Sequence, residues 1–376
     1  MKAQGFIASR LRFKGRLAVV AIAVSFFVMI ISLAISAGFR KEIRSGISSM
    51  SGDIRLSGSE EPIDSRLSYI DKLEALPGVK SITPVIWKPC IVKGPDDISG
   101  VLIKGVPMAD SISLQAQIPS RLAAKLQLSE GDSFTAWFVE EKVRARRFTV
   151  SGIYESLIDS DETLTVIVPL ADLQRLCGWS TEQSGALEVL LDNPSAADAT
   201  AFEMSVISYA SHGPEEDILN AATARARYPQ LFDWLNLIDV NVLAIIMLMI
   251  VVAGFNMISG LLILLFRNIS TIGMLKSLGM GNRAIASVFL RVAARIVAIG
   301  MLIGNGAALL FCLLQSTTHL IKLNPANYFV SFVPVSINPG TVILVDALAF
   351  VAIMLLMLIP TIFISRVDPA ETVRVK

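Results

Sequence analysis

The stretch "VNVLAIIMLMIVVAGFNMISGLLILLFRNISTIGMLKSLGMGNRAI", residues Val240–Ile285, decides the fold of this chain. Its first part, Val240–Phe266, is an apolar run, and a membrane-spanning helix needs about 20 mostly apolar residues. Its second part, Arg267–Ile285, contains basic residues but no acidic one, and another long apolar run follows it. The stretch therefore predicts a membrane span that leads into a short basic segment at one face of the membrane.

Composition and three further apolar runs extend this prediction to the whole chain. The 376 residues are 53% hydrophobic and 17% charged, whereas soluble domains are about 45–50% apolar and about 25% charged. We therefore predict an α-helical membrane protein with four transmembrane helices. The predicted spans are Leu17–Ala37, Val240–Phe266, Ile296–Leu314 and Thr341–Ile364.

The first run, Leu17–Ala37, could instead be a cleaved signal peptide, because small residues near its end loosely fit a cleavage site. The run is longer than the usual apolar core of about 7–15 residues in a signal peptide, which favours an uncleaved anchor. In either case, the residues that follow lie on the outer side of the membrane.

Lysine and arginine residues next to the spans predict the side that each segment faces, since cytoplasmic segments carry an excess of them. Residues 1–16 and 267–295 each contain five basic residues and no acidic one, whereas residues 38–239 contain 19 basic and 29 acidic residues. We predict that both of these basic segments and the tail, residues 365–376, face the cytoplasm. Residues 38–239 then form a large outer domain, and residues 315–340 form an outer loop.

The outer domain alternates β-like and helix-like segments. Runs such as Arg147–Glu155 and Thr163–Pro169 are rich in Val, Ile, Thr and aromatic residues. Ser120–Leu128 has apolar residues at helical spacing, and residues 194–239 are mainly helical in pattern. The prediction is a mixed α+β domain inserted between spans 1 and 2, on two helices that extend beyond the membrane.

The sequence contains no recognisable catalytic or metal-binding pattern. Its two histidines, His212 and His319, fall in loop-like contexts, and no G-x-x-x-x-G-K-[ST] nucleotide-binding sequence occurs. The three cysteines have no C-x-x-C spacing, and a disulfide between Cys90 and Cys177 stays open. We therefore predict a non-catalytic chain that binds no cofactor or metal ion itself.

The basic segment Arg267–Ile285 fits a short helix at the inner face of the membrane. Asn268 or Ser270 could cap its start, and Gly279 could end it. Such a helix either lies on anionic lipid or contacts another protein. Apolar residues at every third position predict a single apolar stripe, which consists of Ile269, Ile272, Leu275 and Leu278.

The order of residues in this segment resembles the loop between the second and third spans of the FtsX-like, MacB-type permeases of ABC transporters. That family has approximately acid-Ile-Gly/Ala-Ile-Leu-Lys-x-Leu-Gly-Ala there, and Thr271 stands here where an acid is usual. The end of the chain, "SRVDPAETVRVK", likewise resembles the terminal Pro-Ala-Glu-x-x-Arg of the family. The matching residues are Ile272, Gly273, Met274, Leu275, Lys276, Leu278 and Gly279 in the loop, and Pro369, Ala370, Glu371 and Arg374 at the end.

The resemblance extends over nearly the whole chain to the lipoprotein-releasing permeases of the LolC/LolE type. Among the segments that carry it are "YIDKLEALPGVKSITPVI" from Tyr69, "FTVSGIYESLIDSDETLTVIVPLADLQRL" from Phe148, and "LFDWLNLIDVNVLAIIMLMIVVAGFNMISGLLILL" from Leu231. Because the segments occur in this order and with this number of spans, the chain as a whole is similar to that group.

The resemblance implies a permease subunit of an ABC transporter in the bacterial inner membrane, with both termini in the cytoplasm. The permease would pair with a second copy or a sister permease, and a separate cytoplasmic ATPase dimer would hold ATP and Mg²⁺. Its substrate would be a lipoprotein, extracted from the membrane and passed to a periplasmic carrier by mechanotransmission. Membrane lipids are further expected partners, and nucleic acid is not. The ATPase would contact a coupling helix whose residues are Ile272, Gly273, Met274, Leu275, Lys276, Leu278, Gly279 and Arg283.

In the family, the first two spans of each partner bound the substrate cleft. In span 2, Asn256 and Ser259 are polar and are expected to face another helix, and Gly300 and Gly304 in span 3 form a close-packing motif expected to act within the chain. The residues that could line the cleft are Phe26, Phe27 and Met29 in span 1 and Met247, Met249 and Phe255 in span 2.

Other functions within and beyond this family stay open. An exporter of peptides or small molecules usually carries its ATPase on the same chain, and a transducer that regulates periplasmic partners usually has a much smaller outer domain. A membrane-anchored receptor or adhesin without an ATPase would leave the basic inner helix unexplained. The permease for lipoprotein release fits the residues best.

Overall fold

The computed structural model describes most of the chain. The N-terminal basic segment up to residue 15 and the family-like tail with Pro369 and Arg374 lie outside the described residues. The described residues are 16–94, 97–108, 113–139, 143–155, 164–214, 216–324, 328 and 330–362.

The described residues contain eleven helices and eleven strands, besides a 3-10 turn at Pro194–Ala196. The helices are α1 Arg16–Ser51, α2 Ile70–Glu74, α3 Ser120–Leu126, α4 Leu170–Cys177, α5 Ala197–Ser211, α6 Ala224–Arg227, α7 Pro229–Arg267, α8 Ile269–Ser277, α9 Asn282–Thr318, α10 Pro339–Leu356 and α11 Leu358–Thr361. The strands are β1 Ile54–Ser57, β2 Ile63–Asp64, β3 Val79–Lys93, β4 Ile98–Val106, β5 Gln115–Pro119, β6 Ser133–Val139, β7 Val143–Tyr154, β8 Thr165–Pro169, β9 Gln183–Ser184, β10 Ala186–Leu191 and β11 Asn220–Thr223.

These elements divide into two compact units, each of which we describe by itself. Within the described residues, the span unit comprises residues 16–40, 234–321 and 333–362. The domain unit comprises residues 41–233 and 322–332.

Among the described residues, four helical segments are long and apolar enough to cross a membrane, which confirms the predicted fold class of four spans with an α+β domain after the first. Helices α1 and α7 have 36 and 39 residues, more than the predicted spans. In α1, buried residues continue at helical spacing through Phe39, Ile43 and Ile47, which explains why the helix does not end at Ala37. Helix α10 ends at Leu356 because Pro360 has no amide hydrogen to donate to the Leu356 carbonyl.

Glycines allow close packing of the spans within the chain. A Cβ added at Gly300 would lie 2.7 Å from Ile22 Cγ2, and one added at Gly304 would lie 2.4 Å from the Ala23 carbonyl oxygen. Both glycines therefore pack α9 against α1, as the close-packing motif predicted. Gly254 on α7 makes a similar approach to Leu356 at the end of α10, 2.5 Å from its Cδ1.

Six strands of the domain unit close into a barrel. They are hydrogen-bonded in the order β3-β4-β8-β5-β7-β6, and β6 pairs in turn with β3. Alternate side chains point inwards, as the pleat requires. Phe134 and Phe148 stack in the interior with ring centroids 5.9 Å apart. The barrel therefore has a hydrophobic core of its own.

The long strand β3 also belongs to a second group of strands. Its first half pairs with β10, which continues through β1 to β11, while its second half pairs with β4 and β6. Leu73 of α2 and Met204 of α5 are buried with Leu56 and Leu187 of the sheet in a separate hydrophobic cluster. The domain unit thus contains two cores that share one strand.

Residues 194–239 are mainly helical, as predicted. A short strand that was not predicted, β11 at Asn220–Thr223, interrupts the helices and pairs with β1 at the edge of the sheet. The sequence left a disulfide between Cys90 and Cys177 open, and the structure contains none, since all three cysteines are thiols. Cys90 lies inside the barrel core.

Candidate functional site: the short helix α8 and the surfaces of the spans

Helix α8, Ile269–Ser277, is the predicted coupling helix, and it lies between α7 and α9. Asn268 stands at the N-cap position of α8, as predicted, but its side chain does not cap that helix. Its Nδ2 donates instead to Leu264 O, over 2.8 Å, at the end of α7. The predicted end is confirmed. Gly279 has φ +83°, which favours glycine, and its amide donates to Lys276 O over 2.9 Å.

The predicted apolar stripe of α8 is divided between two faces. Ile272 is 1% exposed and lies in the hydrophobic cluster of the span unit, against which Leu275 is half-buried. Met274 and Leu278 are 60% and 78% exposed. An α-helix turns by about 100° per residue, so residues three positions apart lie about 60° apart around the helix axis. Four residues at this spacing are therefore spread over about half of the helix circumference.

Coupling residues predicted from the family motif therefore have different environments. Ile272 and Gly273 are buried within this chain, so they position α8 rather than offer a surface to another protein. Met274 and Leu278 form an exposed apolar pair. The other members are exposed or half-buried: Leu275, Lys276, Gly279 and Arg283.

The exposed part of α8 combines apolar and basic groups. Arg267 just before α8 and Arg283 near the start of α9 are exposed, and Thr271 is exposed where the family usually has an acid. Residues 267–295 contain no acidic residue. Burial of one methionine or leucine side chain stabilises a contact by about 1.5–3 kcal/mol, so this surface can bind an apolar groove with a negatively charged rim.

The structure does not bring the six predicted cleft residues to one surface. Phe26 and Met29 are 0% and 1% exposed inside the span unit, so they are packing residues. Phe27 is half-buried and lies edge-to-face with Phe311, with centroids 6.3 Å apart. Of the residues on α7, Met249 packs against the same cluster as Phe26.

The remaining two, Met247 and Phe255, are 60% and 66% exposed and stand on one row of α7 with Val251. Asn256 and Ser259 are exposed on this helix as well, so within a single chain they do not face another helix as expected. The hydroxyl of Ser259 donates a hydrogen bond to Phe255 O, one turn earlier in the same helix, over 3.0 Å. This row, with its two polar neighbours, is the exposed α7 face.

Several polar contacts in the span unit were not predicted from the sequence, and two of them join different helices through a carboxylate. Asn305 Nδ2 on α9 donates to Asp346 Oδ2 on α10 over 2.5 Å. Ser36 on α1 donates to Asp239 on α7 over 2.6 Å. A single carboxylate inside an apolar run, such as Asp346, was the available signal, because charged groups in spans need a partner.

Within the part of the chain that the structure describes, no group of three or more His, Cys, Asp and Glu residues could hold a metal ion.

Two family models match successive parts of the chain. The description "MacB-like periplasmic core domain" matches residues 17–207, and "FtsX-like permease C-terminal" matches residues 243–369. The second match contains α8, so the resemblance drawn from Ile272–Gly279 is confirmed.

Curated relatives match over nearly the whole chain. The lipoprotein-releasing system transmembrane protein LolC of Xylella fastidiosa (strain 9a5c) is 24% identical over an alignment 405 positions long, which covers 98% of this chain and 95% of the relative. The protein of the same description from Neisseria meningitidis serogroup B is 20% identical over an alignment 408 positions long, which covers 99% of this chain and 96% of that relative.

Solved structures of isolated domains also match. The extracellular domain of the transporter YknZ from Gram-positive bacteria is 12% identical, with a TM-score of 0.30, and the match covers 45% of this chain and 98% of that one. The periplasmic region of MacB from Actinobacillus actinomycetemcomitans is 11% identical, with a TM-score of 0.30 and coverage of 49% and 95%.

Proposed function

This chain belongs to the family of ABC transporter permeases that join a MacB-like periplasmic core domain to an FtsX-like permease domain, and we propose that it extracts lipoproteins from the inner membrane and passes them to a periplasmic carrier. A separate ATPase dimer would drive the cycle through mechanotransmission. The observation that carries the proposal is similarity to LolC over 98% of this chain and 95% of the relative.

We infer that both termini and α8 face the cytoplasm, where the ATPase binds ATP and Mg²⁺. Met274 and Leu278 would then enter an apolar groove of the ATPase, with Lys276 and Arg283 at the rim. Ile272 and Leu275 would transmit movement of the ATPase from α8 to the other helices of the span unit, because they pack α8 against those helices. This division of roles replaces the single stripe expected from the sequence.

The physical cost of moving a lipoprotein supports a sheltered path. At about 0.8 kcal/mol per buried CH₂, exposing three acyl chains to water would cost on the order of 30 kcal/mol. Apolar surface must therefore accompany the chains throughout. The exposed α7 face, with Met247, Val251 and Phe255, is apolar surface of the span unit that would offer it.

A partner permease would complete this path. Asn256 is polar and exposed in an apolar span, and polar groups at this depth are stabilised by hydrogen bonds to a neighbouring helix. We infer that the second copy or sister permease covers Asn256 and Ser259 and leaves the apolar residues of the same face toward the acyl chains.

The test uses proteoliposomes that contain the permease pair, the ATPase and a labelled triacylated lipoprotein, with the soluble carrier outside. We expect ATP-dependent release from the wild type. Leu278→Asp should lose both release and co-purification of the ATPase. Thr271→Asp, which adds the same charge to an exposed position of α8, should retain both.

Two outcomes would contradict the proposal at different levels. If the ATPase binds and hydrolyses ATP but the wild type never releases lipoprotein, the cargo is wrong, and the peptide exporter or the periplasmic transducer takes its place. If Leu278→Asp still binds the ATPase, α8 does not provide the contact.

A further inference from the structure

Cations from two other elements hold the C-terminal end of α1 in the domain unit. Lys104 on β4 donates from Nζ to Met50 O over 2.5 Å. Arg227 at the end of α6 donates from Nη2 to Gly52 O over 2.7 Å. The last carbonyls of a helix lack partners in the helix and carry the negative end of its dipole. Both cations therefore bind the end of α1 to other parts of the domain unit.

Lys104 also forms a buried ion pair with Glu188 on β10. Its Nζ lies 2.6 Å from Glu188 Oε2, and both residues are 6% exposed. The other carboxylate oxygen, Oε1, accepts hydrogen bonds from Trp87 Nε1 over 2.8 Å and from Arg55 over 3.3 Å. One carboxylate thus connects strands β1, β3, β4 and β10.

The register of the sheet explains how these side chains meet. Arg55 stands directly opposite Glu188, and Trp87 stands directly opposite Lys104. Residues opposite each other in a sheet project from the same face, so each pair is in contact. The Lys104 ammonium also lies 5.2 Å from the centroid of the Trp87 ring, which favours its charged form by a cation–π interaction.

The backbone after α1 leaves no flexible link before the sheet. Helix α1 ends at Ser51, and β1 begins at Ile54. Between them, Gly52 has φ +66°, and a Cβ there would lie 3.1 Å from Glu188 Cβ. Asp53 then accepts a hydrogen bond from Leu191 N over 2.9 Å. The helix end therefore enters the sheet directly beside the Lys104–Glu188 pair.

A buried ion pair is weak evidence for a role in stability alone, because the cost of removing both charges from water offsets their attraction. Burial lowers the pKa of Lys104, and the Glu188 carboxylate acts in the opposite direction. What distinguishes this pair is the additional bond from Lys104 to the end of a helix. A helix whose displacement is to move a domain needs such an attachment.

We propose that Lys104 and Glu188 are positioning residues of a rigid joint through which displacement of α1 moves the outer domain during the transport cycle. Lys104 makes the connection to Met50, and Glu188 with Trp87 holds the ammonium group in place. This inference rests on the proposed function, which requires that motion driven by ATP reaches the domain.

The test measures a distance rather than transport. Spin labels are attached at Ser316→Cys and Arg147→Cys, both exposed sites, in the full chain carrying Cys177→Ser. The chain is placed in nanodiscs with its ATPase and its permease partner. Pulsed EPR then records the change in label separation when ATP and vanadate are added, beside ATP hydrolysis and thermal melting.

Four variants distinguish a loss of the mechanical connection at Lys104 from a general loss of protein stability. Lys104→Met removes the donor to Met50 O. Lys104→Met with Glu188→Gln removes both charges, so no carboxylate is left without its lysine, and the amide oxygen that replaces the carboxylate still offers an acceptor to Trp87. Lys104→Arg keeps a cationic donor. Lys88→Met with Glu61→Gln is the matched control, since Lys88 and Glu61 form an ion pair of 2.9 Å elsewhere in the domain unit.

We expect the ATP-driven distance change in the wild type, in Lys104→Arg and in the control. Lys104→Met and its double variant should lose the change while ATP hydrolysis continues, and the double variant should melt like the wild type. A double variant that retains the distance change would overturn the joint. A wild type without any ATP-driven change would overturn both the joint and the proposed function, whereas movement without lipoprotein release would overturn only the cargo.

Discussion

Ser36 on α1 donates a hydrogen bond to Asp239 on α7 over 2.6 Å, although the two residues are 203 positions apart in the chain. Arg40, one turn further along α1, forms an ion pair with the same carboxylate. Phe39 packs edge-to-face against Trp234, with centroids 5.8 Å apart. Asp239 is therefore the centre of a contact that ties α1 and α7 together in the span unit.

The hydrogen bond from Ser36 to Asp239 should contribute more to the free energy of unfolding than the Arg40–Asp239 ion pair does. The side chains of Arg40 and Asp239 are 44% and 33% exposed, so Asp239→Asn should lower the free energy of unfolding by less than about 1 kcal/mol. Asp239→Leu also removes the acceptor of the buried Ser36 hydroxyl and should cost about 1–3 kcal/mol. Thermal melting in detergent compares the two variants. Equal losses would show that the charge, rather than the hydrogen bond, stabilises the contact.

Gly304 should tolerate no side chain. A Cβ there would lie 2.4 Å from Ala23 O, whereas a Cβ at Gly306 on the same helix meets nothing within 4 Å. We expect Gly304→Ala to lower the stability by about 1–3 kcal/mol through overpacking. Gly306→Ala should leave it unchanged or raise it slightly, because alanine favours the helix. Melting temperature and yield after membrane extraction measure both, and similar behaviour of the two variants would contradict the packing of α9 on α1.

Cys90 should resist modification in the folded protein. Burial in the barrel raises the pKa of its thiol to about 12. At pH 7.5 its thiolate fraction is then about 10³ times smaller than that of an ordinary cysteine, and only the thiolate reacts. Mass spectrometry after maleimide treatment should find label on Cys177 and not on Cys90 until the protein is unfolded. A mass two units lower without reductant would instead indicate a disulfide.

Glu216 should give the domain unit a stability that depends on pH. Its carboxylate accepts hydrogen bonds from the amides of Gly213 and Ser68 over 2.7 and 2.8 Å and from Ser68 Oγ over 2.8 Å. These bonds to the charged form lower the pKa of Glu216 in the folded state. The stability that they provide is therefore present above the unfolded pKa of about 4.3 and is lost as the pH falls through the lower folded value.

The variant Glu216→Gln tests whether the stability provided by Glu216 is lost as the pH falls. The variant should melt below the wild type at pH 7, and the difference should shrink as the pH falls below about 4. Glu203→Gln, which removes the same charge from the exposed face of α5, controls for net charge. A difference between wild type and Glu216→Gln that grows toward low pH would contradict the assignment.

The sequence predicts the spans well because their signal is local. About 20 apolar residues in a row need no knowledge of their partners, and the packing role of Gly304 follows from small residues at helical spacing. The same local reasoning fails at α8. Ile272 and Leu278 look equivalent in a three-residue pattern, but Ile272 is buried and Leu278 is exposed. Only the tertiary structure decides which side of the helix is covered by the other spans.

Contacts between distant residues were beyond sequence reasoning for a different reason. Lys104 and Glu188 are 84 positions apart and each reads as an ordinary charged residue in a β-like run. Their meeting depends on the order of strands in the sheet, which a single sequence does not specify. The closure of the barrel by β3 and β6 is hidden in the same way.

The sharing of β3 between two cores has a consequence for engineering and for evolution. Because residues of one continuous strand, Val79–Lys93, belong to both groups of strands, the barrel has no boundary at which it can be cut out as a module. A chimera that exchanges the barrel with that of a relative must also exchange β3, and its new first half must then fit the β10 strand of the recipient. Substitutions that alter one core are therefore constrained by the other, and the two halves of the domain unit should diverge together.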